Sequence, residues 1–177
     1  MDISTRLVFG STVIQGLHVH GLAMVVRNVK ILALRMEPLS LDVLIELMRC
    51  FPCLEKLYIQ RWSTREKNLW RRKHRELIKC FDIRLKTIVI STYVGLWSEV
   101  NFATFFVLNA KLLELMVFEV NCTDEEFISK EQKKLQLDNR ASRGAQFHFT
   151  TDRCLRGRLD IDHVRDLDLA DPVIRRC

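Results

Sequence analysis

Four short segments of the chain repeat one spacing of apolar residues, apolar-x-x-apolar-x-apolar. They are Val29–Leu34, Leu54–Ile59, Leu85–Ile90 and Leu113–Phe118. Because side chains alternate between the two faces of a strand, the fourth and sixth positions of each segment point to one face and the residues beside them to the other. The spacing therefore predicts four strands that each bury one face in a shared core.

The distances between these segments indicate a repeat. Their first residues lie 25, 31 and 28 positions apart, and leucine-rich repeats recur every about 20 to 29 residues. A single strand-and-helix unit cannot bury its apolar face alone, so such units stack side by side. We predict an α/β fold, a short irregular leucine-rich-repeat solenoid with a curved, mostly parallel sheet and helices on its convex side. A compact α/β sandwich with a parallel sheet fits the same alternation and stays open as an alternative.

Helical patterns occupy the intervals between the predicted strands. Ser40 is placed to cap a helix that Pro52 ends, with apolar residues at steps of three and four between them. Ser98 opens a second predicted helix, which runs to about Lys111. The segment Thr123–Glu126 reads as a capping box at the start of a third helix.

Both ends of the chain predict further strands. Apolar residues within the first 20 positions alternate with polar ones around Gly10 and Gly16, which indicates short strands joined by a turn. These strands either cap the sheet or are what remains of an earlier repeat. Near the other end, Gln146–Thr150 and Val164–Leu169 alternate as half-buried strands do. We expect these two segments to close the sheet.

Net charge and cysteine content restrict the class of protein. The formal net charge of +6 favours acidic partner surfaces without identifying one. The 6 cysteines follow no secretory signal, so we expect reduced thiols and a location in the cytoplasm, the nucleus or both. The longest apolar stretches fall well short of the roughly 20 residues that cross a bilayer, so no membrane contact is expected.

Three groups of metal-binding residue types have simpler explanations. Cys50 and Cys53 lack a second ligand pair, His18 and His20 lack a third converging group, and the aspartates between 160 and 171 lack the glycine and glutamate of a calcium loop. No nucleophile elbow, zinc-protease pair or glycine-rich phosphate loop occurs in the sequence. We therefore expect no metal site, no cofactor and no catalytic residue.

A strongly basic segment with two tryptophans interrupts the repeat between positions 61 and 79. Its main cationic residues are Arg61, Arg65, Arg71, Arg72, Lys73 and Arg75. Lysine and arginine neutralise phosphates and an indole stacks on an unpaired base, so nucleic-acid binding is the alternative function. No RNA-binding motif accompanies the segment, and an insertion between repeats is usually a solvated loop, which we favour here.

A series of short motifs runs through the second half of the chain. They are Cys80–Lys86, Tyr93-x-Gly95, Glu99-Val-Asn-Phe102, Phe105–Ala110 and Leu113-Glu-x-Met116. In order and spacing these motifs resemble the FBD domain, which follows leucine-rich repeats in many plant F-box proteins. Upstream, Cys50–Leu57 resembles the helix-to-strand junction of those repeats. Downstream, Arg140–Phe147 and Asp166–Pro172 resemble the C-terminal end of the grass members.

The resemblance implies one half of a known role. In that family an N-terminal F-box docks on the adaptor of a cullin-type ubiquitin ligase, and the repeats hold the protein to be ubiquitinated. The sequence before Val29 offers no helical segment of the F-box kind, so only the recognition half is implied. We expect a non-enzymatic protein-protein interaction module whose partner is an unknown target protein, and which meets the ligase adaptor only if an F-box is supplied upstream.

The repeat and the resemblance together predict four segments. They are a leucine-rich-repeat segment with N-terminal strands at 1–60, a basic insertion loop at 61–79, an FBD-like repeat at 80–120, and a C-terminal helix with closing strands at 121–177.

Strand residues that point away from the core are the predicted binding surface for a target protein. They are Arg35, Lys56, Tyr58, Gln60, Thr87, Ser91, Val117 and Glu119, together with Ala33, Val89 and Leu115. Tyrosine and arginine are enriched at interface hot spots, so Tyr58 and Arg35 are the first candidates. The alternative is that other parts of the chain cover this face.

Overall fold

The structure, a computed structural model, describes residues 6–9, 12–15, 25, 27–36, 39–61 and 82–151 of the 177-residue chain. Its strands in these ranges are β1 (Arg6–Phe9), β2 (Thr12–Gln15), β3 (Ile31–Met36), β4 (Lys56–Arg61), β5 (Thr87–Tyr93), β6 (Leu115–Val120) and β7 (Gln146–Thr150). Its helices are α1 (Leu41–Cys50), α2 (Trp97–Asn109) and α3 (Glu125–Lys134), followed by a short 3-10 helix (Leu137–Asn139).

The strands form one sheet in the order β2-β1-β3-β4-β5-β6-β7. Strands β3 to β7 pair in parallel, each beside the one that precedes it in the chain. This order is that of a solenoid, in which every unit is added next to the last one. The predicted α/β fold with a mostly parallel sheet is therefore confirmed.

The core lies between the sheet and its helices. The fourth and sixth positions of the four repeated segments are at most 1% exposed, and they are Leu32, Leu34, Leu57, Ile59, Ile88, Ile90, Met116 and Phe118. They share one apolar cluster with the buried faces of α1 and α2. Burial of these apolar side chains is the main stabilising contribution to such a stack. The strand spacing therefore predicted the core face correctly.

The predicted capping of the first helix is also confirmed. The side chain of Ser40 accepts a hydrogen bond from the backbone N–H of Val43 at 3.4 Å. The helix ends at Cys50, two residues before Pro52.

The starts of the other two helices differ from the prediction. α2 begins at Trp97 rather than after Ser98, because the carboxylate of Glu99 accepts the backbone N–H groups of Val94 and Leu96 at 3.1 and 3.0 Å. α3 is capped one residue later than predicted. Asp124, not Thr123, accepts the N–H of Glu126 at 3.4 Å. An aspartate is an equally good capping residue, so sequence alone did not choose between the two positions.

A bulge reshapes the end of β5. Ile90 lies opposite Phe118 and Tyr93 opposite Val120, so three steps along β5 match two along β6. The extra residue is accommodated at Thr92, whose φ of 59° lies in the left-handed region. The bulge returns Tyr93 to the core face, where it is 1% exposed.

The expected terminal strands are present in part. β1 and β2 are short strands as predicted, and in the structure they pair antiparallel and extend the sheet beyond β3. β7 is the predicted closing strand, and its Phe149 ring stacks on Phe118 with centroids 4.8 Å apart. The second predicted closing strand, Val164–Leu169, lies outside the described residues.

Candidate functional site

The face of the sheet opposite the helices carries three rows of strand positions, because neighbouring parallel strands are in register. The first row is Ile31, Lys56, Thr87, Leu115 and Gln146, and the second is Ala33, Tyr58, Val89, Val117 and His148. In the third row, at the ends of the strands, Arg35 pairs with Gln60 and Gln60 with Ser91. We call this surface the helix-free face. These positions alternate along each strand with those of the core face.

The middle of this face is buried. Ala33, Tyr58 and Val89 are 5%, 3% and 8% exposed, and they form a small apolar cluster flanked by Ile31 and Val117. The expectation that Tyr58 is exposed is therefore wrong. Neighbouring apolar side chains in one row lie close enough to pack against each other. The signal was present in the sequence, since the second row reads apolar or aromatic across four strands.

Two of the predicted polar positions near the strand ends are buried as well, whereas Gln60 is half-buried. Ser91 is 3% exposed and Glu119 is 6% exposed, so both are less accessible than predicted. The hydroxyl of Ser91 and the Oε1 atom of Gln60 have no hydrogen-bond partner in the described part of the chain. A buried polar atom in this condition costs about 1–3 kcal/mol. Arg35 belongs to β3, but its side chain is outside the described residues, and binding by any of these residues stays a prediction.

The accessible part of the helix-free face lies along its first row and toward β7. Lys56, Thr87 and Leu115 are half-buried, as is Val117 in the second row. The adjoining positions on β7, Gln146 and His148, are exposed, and His148 Nε2 lies 3.3 Å from Gln146 Oε1. This area combines apolar contacts with polar groups, as protein interfaces do.

A further row of residues, with alternating charge, lies at the edge of the sheet where strands β3 to β6 begin. Backbone hydrogen bonds place Lys30, Glu55, Lys86 and Glu114 side by side. The Glu55 carboxylate lies 3.1 Å from Lys86 Nζ and 3.6 Å from Lys30 Nζ. The hydrogen bond from Lys86 and its charge hold the pKa of Glu55 below its ordinary value. One carboxylate thus links three consecutive repeats.

A buried polar cluster joins the bulge of β5 to α3. The Tyr93 hydroxyl donates to Glu131 Oε2 at 2.7 Å, and Lys134 Nζ donates to Glu131 Oε1 at 2.6 Å. Burial raises the pKa of Tyr93, and the carboxylates of Glu131 and Glu99 raise it further. The tyrosine therefore stays a hydrogen-bond donor at neutral pH.

Gly95 fits this cluster for steric reasons. Its φ is +79°, and a Cβ at this position would lie 2.8 Å from Glu131 Oε1. The motif residues Tyr93, Gly95 and Glu99 therefore have structural roles: one binds α3, one allows its close approach, and one caps α2. Sequence reasoning singled out these three but missed Glu131. It is the one buried residue of an otherwise exposed or half-buried polar helix, and no local pattern marks it.

The cysteine pair does not have the features of a reactive thiol site. Cys50 is buried at the C-terminal end of α1, and burial followed by the charge of Glu46 raises its pKa. Reactive thiols instead have a lowered pKa, often at a helix N-terminus. Cys50, Cys53 and Cys122 are reduced, and no cluster of potential metal ligands occurs among the residues that the structure describes.

Several predicted features fall where the structure gives no description. The basic patch is one of them: Arg61 ends β4 but its side chain is not described, and Arg65, Arg71, Arg72, Lys73 and Arg75 lie in the gap between 61 and 82. His18, His20 and the aspartates between 160 and 171 are likewise outside the described ranges. The insertion loop and its nucleic-acid role stay predictions.

None of the helices described here is long and apolar enough to cross a membrane.

Comparison with protein families gives two matches that lie in succession along the chain. Residues 1–59 match the family described as FBD-associated F-box protein At5g56370, LRR repeats, and residues 73–118 match the FBD family. The FBD match begins inside the segment predicted as an insertion loop. A search of curated proteins and a search of solved structures each found no significant match. Together with the stacked strands, these matches show that the chain contains leucine-rich repeats of the FBD-associated F-box type over residues 1–59 and an FBD domain over residues 73–118.

Proposed function

We propose that this chain is a protein-binding module that holds a target protein on the accessible part of its helix-free face. Leucine-rich-repeat and FBD families are typically non-catalytic interaction domains. The observation that carries the proposal is the continuous surface formed by Lys56, Thr87, Leu115 and Val117 with the exposed side chains of β7. Rigid strands present these side chains at fixed spacing, which lowers the entropy lost on binding.

We further propose that binding selects the target for ubiquitination when an F-box is joined to the module. This step is supported by the two family matches alone. No side chain of the helix-free face is assigned a chemical role. The contribution of the helix-free face is to hold the target beside the ligase, so that ubiquitin transfer is favoured by proximity.

Affinity capture with paired substitutions tests the binding face. Leu115→Arg places a long charged side chain at a half-buried position on the face, whereas Leu112→Arg places the same side chain at a position that is 51% exposed and precedes β6. We expect the first substitution to reduce recovery of the principal bound protein by about tenfold, the effect of about 1.4 kcal/mol. The second should leave recovery unchanged. Equal recovery with both variants would exclude this face.

A chimeric protein tests the ligase step separately. An F-box joined upstream of residue 1 should direct ubiquitination of the captured protein, and Leu115→Arg should reduce it in the same chimera. If the target binds but is not modified in cells that contain the chimera, the binding proposal stands and the ligase proposal fails.

A location in the cytoplasm, the nucleus or both belongs to the same proposal. It is supported by the reduced thiols of Cys50, Cys53 and Cys122, which suit a reducing compartment. Imaging of the tagged full chain tests this, and recovery in the secretory pathway would contradict it.

A further inference from the structure

An open groove lies at the sheet edge where the strands begin, away from the helix-free face. It has a volume of about 600 Å³ and lies between the end of α1 and the residues that lead into β3, β4 and β5. Its floor consists of apolar side chains that belong to the core, namely Met48, Phe51, Leu54, Ile83 and Leu85. Pro52 and Val25 add exposed apolar surface at its rim, Val25 being 60% exposed.

The charged residues of the groove are mostly cationic. Three arginines, Arg27, Arg49 and Arg84, line it together with a single carboxylate, Asp82. Lys30 and Lys86 lie on the same edge of the sheet but alternate there with Glu55 and Glu114, so the excess positive charge of the groove comes from its arginines. The groove therefore complements a ligand that is negatively charged.

These arginines retain hydrogen-bonding capacity. Arg84 Nε lies 3.1 Å from Asp82 Oδ2, with the two side chains 61% and 73% exposed, and Arg49 Nη1 lies 3.0 Å from Glu46 Oε1. Each of these bonds uses one of the five N–H donors of a guanidinium. Exposed pairs of this kind contribute about 0–1 kcal/mol, so a ligand carboxylate can replace or join them.

The apolar floor favours a peptide over a nucleic acid. Stacking of unpaired bases needs an accessible aromatic side chain. The one aromatic residue that lines the groove in the described ranges is Phe51, which is 6% exposed. A flanking apolar side chain, in contrast, fits a surface formed by Val25, Pro52 and Cys53.

We propose that this groove binds an acidic segment of a partner protein, with an apolar side chain against Val25, Pro52 and Cys53 and carboxylates paired with Arg27, Arg49 and Arg84. Arginine and carboxylate form two parallel hydrogen bonds, which give such a contact both strength and direction. The groove is a second interaction surface, separate from the helix-free face.

Fluorescence anisotropy with two labelled peptides tests this inference. The probe is acetyl-EDLFEDL-amide, and its neutral counterpart is acetyl-QNLFQNL-amide. We expect the full chain to bind the acidic peptide at least about tenfold more tightly, because loss of one charged contact of about 1.4 kcal/mol is a factor of ten. Equal affinity for the two peptides, or no binding of the acidic one at millimolar concentration, would overturn the proposal.

Paired charge substitutions locate the binding. The double variant Arg27→Gln and Arg84→Gln removes two exposed cationic groups from the groove, and Lys130→Gln with Lys133→Gln removes two exposed ones from α3. The first pair should lower the affinity for the acidic peptide by about tenfold or more, and the second pair should lower it by less than about twofold. Both variants should melt like the parent chain, since the substituted residues are exposed. Equal weakening by the two pairs would mean that only net charge matters.

A competition arm separates peptide from nucleic acid. A single-stranded RNA of eight nucleotides should not displace the labelled peptide at equal concentration. Displacement that is lost in the Arg27→Gln and Arg84→Gln variant would show that the groove is a nucleic-acid site, and the proposal would be wrong.

Discussion

The hydroxyl of Tyr93 donates a 2.7 Å hydrogen bond to the carboxylate of Glu131, across 38 positions of the chain. Glu131 is 1% exposed, so its charge is stabilised by this bond and by Lys134. The bond attaches α3 to β5 beyond the end of the FBD family match at 118. The folded unit that contains the FBD motifs therefore includes α3.

A double-mutant cycle measures that attachment. Tyr93→Phe should lower the free energy of unfolding by about 2 kcal/mol, because a hydrogen bond to a charged group contributes about 1.5–3 kcal/mol. The loss of unfolding free energy in the double variant with Glu131→Gln should differ from the sum of the two single losses by about 1 kcal/mol or more, as expected for groups in contact. Urea unfolding gives the values. Losses that simply add would contradict direct coupling.

Gly95 and Gly144 form a matched pair of glycines. Gly95→Ala should destabilise the chain by about 1–3 kcal/mol, because the residue has a positive φ and its new Cβ meets the Glu131 carboxylate. Gly144→Ala should change the free energy of unfolding by less than about 0.5 kcal/mol, since no atom lies within 4 Å of its Cβ position. Thermal melting distinguishes them, and equal effects would refute the close approach of α3.

The alternating charges at the sheet edge predict a pH dependence. Because Lys86 lowers the pKa of Glu55, this carboxylate contributes stability above the ordinary glutamate pKa of about 4.3. That contribution is lost as pH falls through the lowered value. Carbon NMR of the Glu55 carboxyl should show a pKa that rises toward the ordinary value in Lys86→Gln and stays the same in Lys111→Gln. An unchanged Glu55 pKa in Lys86→Gln would rule out the pairing.

The aromatic contact between β6 and β7 predicts different effects for neighbouring residues. Phe149→Ala removes a ring that stacks on Phe118 and should cost about 2–4 kcal/mol, since large-to-small changes at packed aromatics cost this much. His148→Ala, at the exposed position beside it, should cost less than about 0.5 kcal/mol. Urea unfolding of both variants checks this prediction. Similar losses of unfolding free energy would contradict the packing of Phe149 on Phe118.

Periodic features of the fold were predictable, whereas contacts between distant segments were not. The positions of Leu57 and Ile59 on the core face follow from alternation along a strand, and the cap at Ser40 follows from its place before an apolar pattern. The bulge at Thr92 and the burial of Glu131 depend on partners far away in sequence. No local spacing encodes them.

The candidate site was predictable as a surface but not in its accessibility. Strand register follows from the repeat, so the residues of the helix-free face were identified together. Their burial differs within one row, since Tyr58 between Ala33 and Val89 is buried while His148 at the end of the same row is exposed. Comparing the residues of one row across the strands, rather than along a single strand, distinguishes the buried positions from the exposed ones.

Site-specific photo-crosslinking tests the central claim most directly. A benzophenone amino acid replaces His148 or Gln146 on the helix-free face, or Leu112 outside it, in the otherwise unchanged chain. The account predicts that the protein recovered by affinity capture crosslinks from His148 and Gln146 and not from Leu112. Crosslinking from Leu112 with none from the two positions on β7 would contradict it.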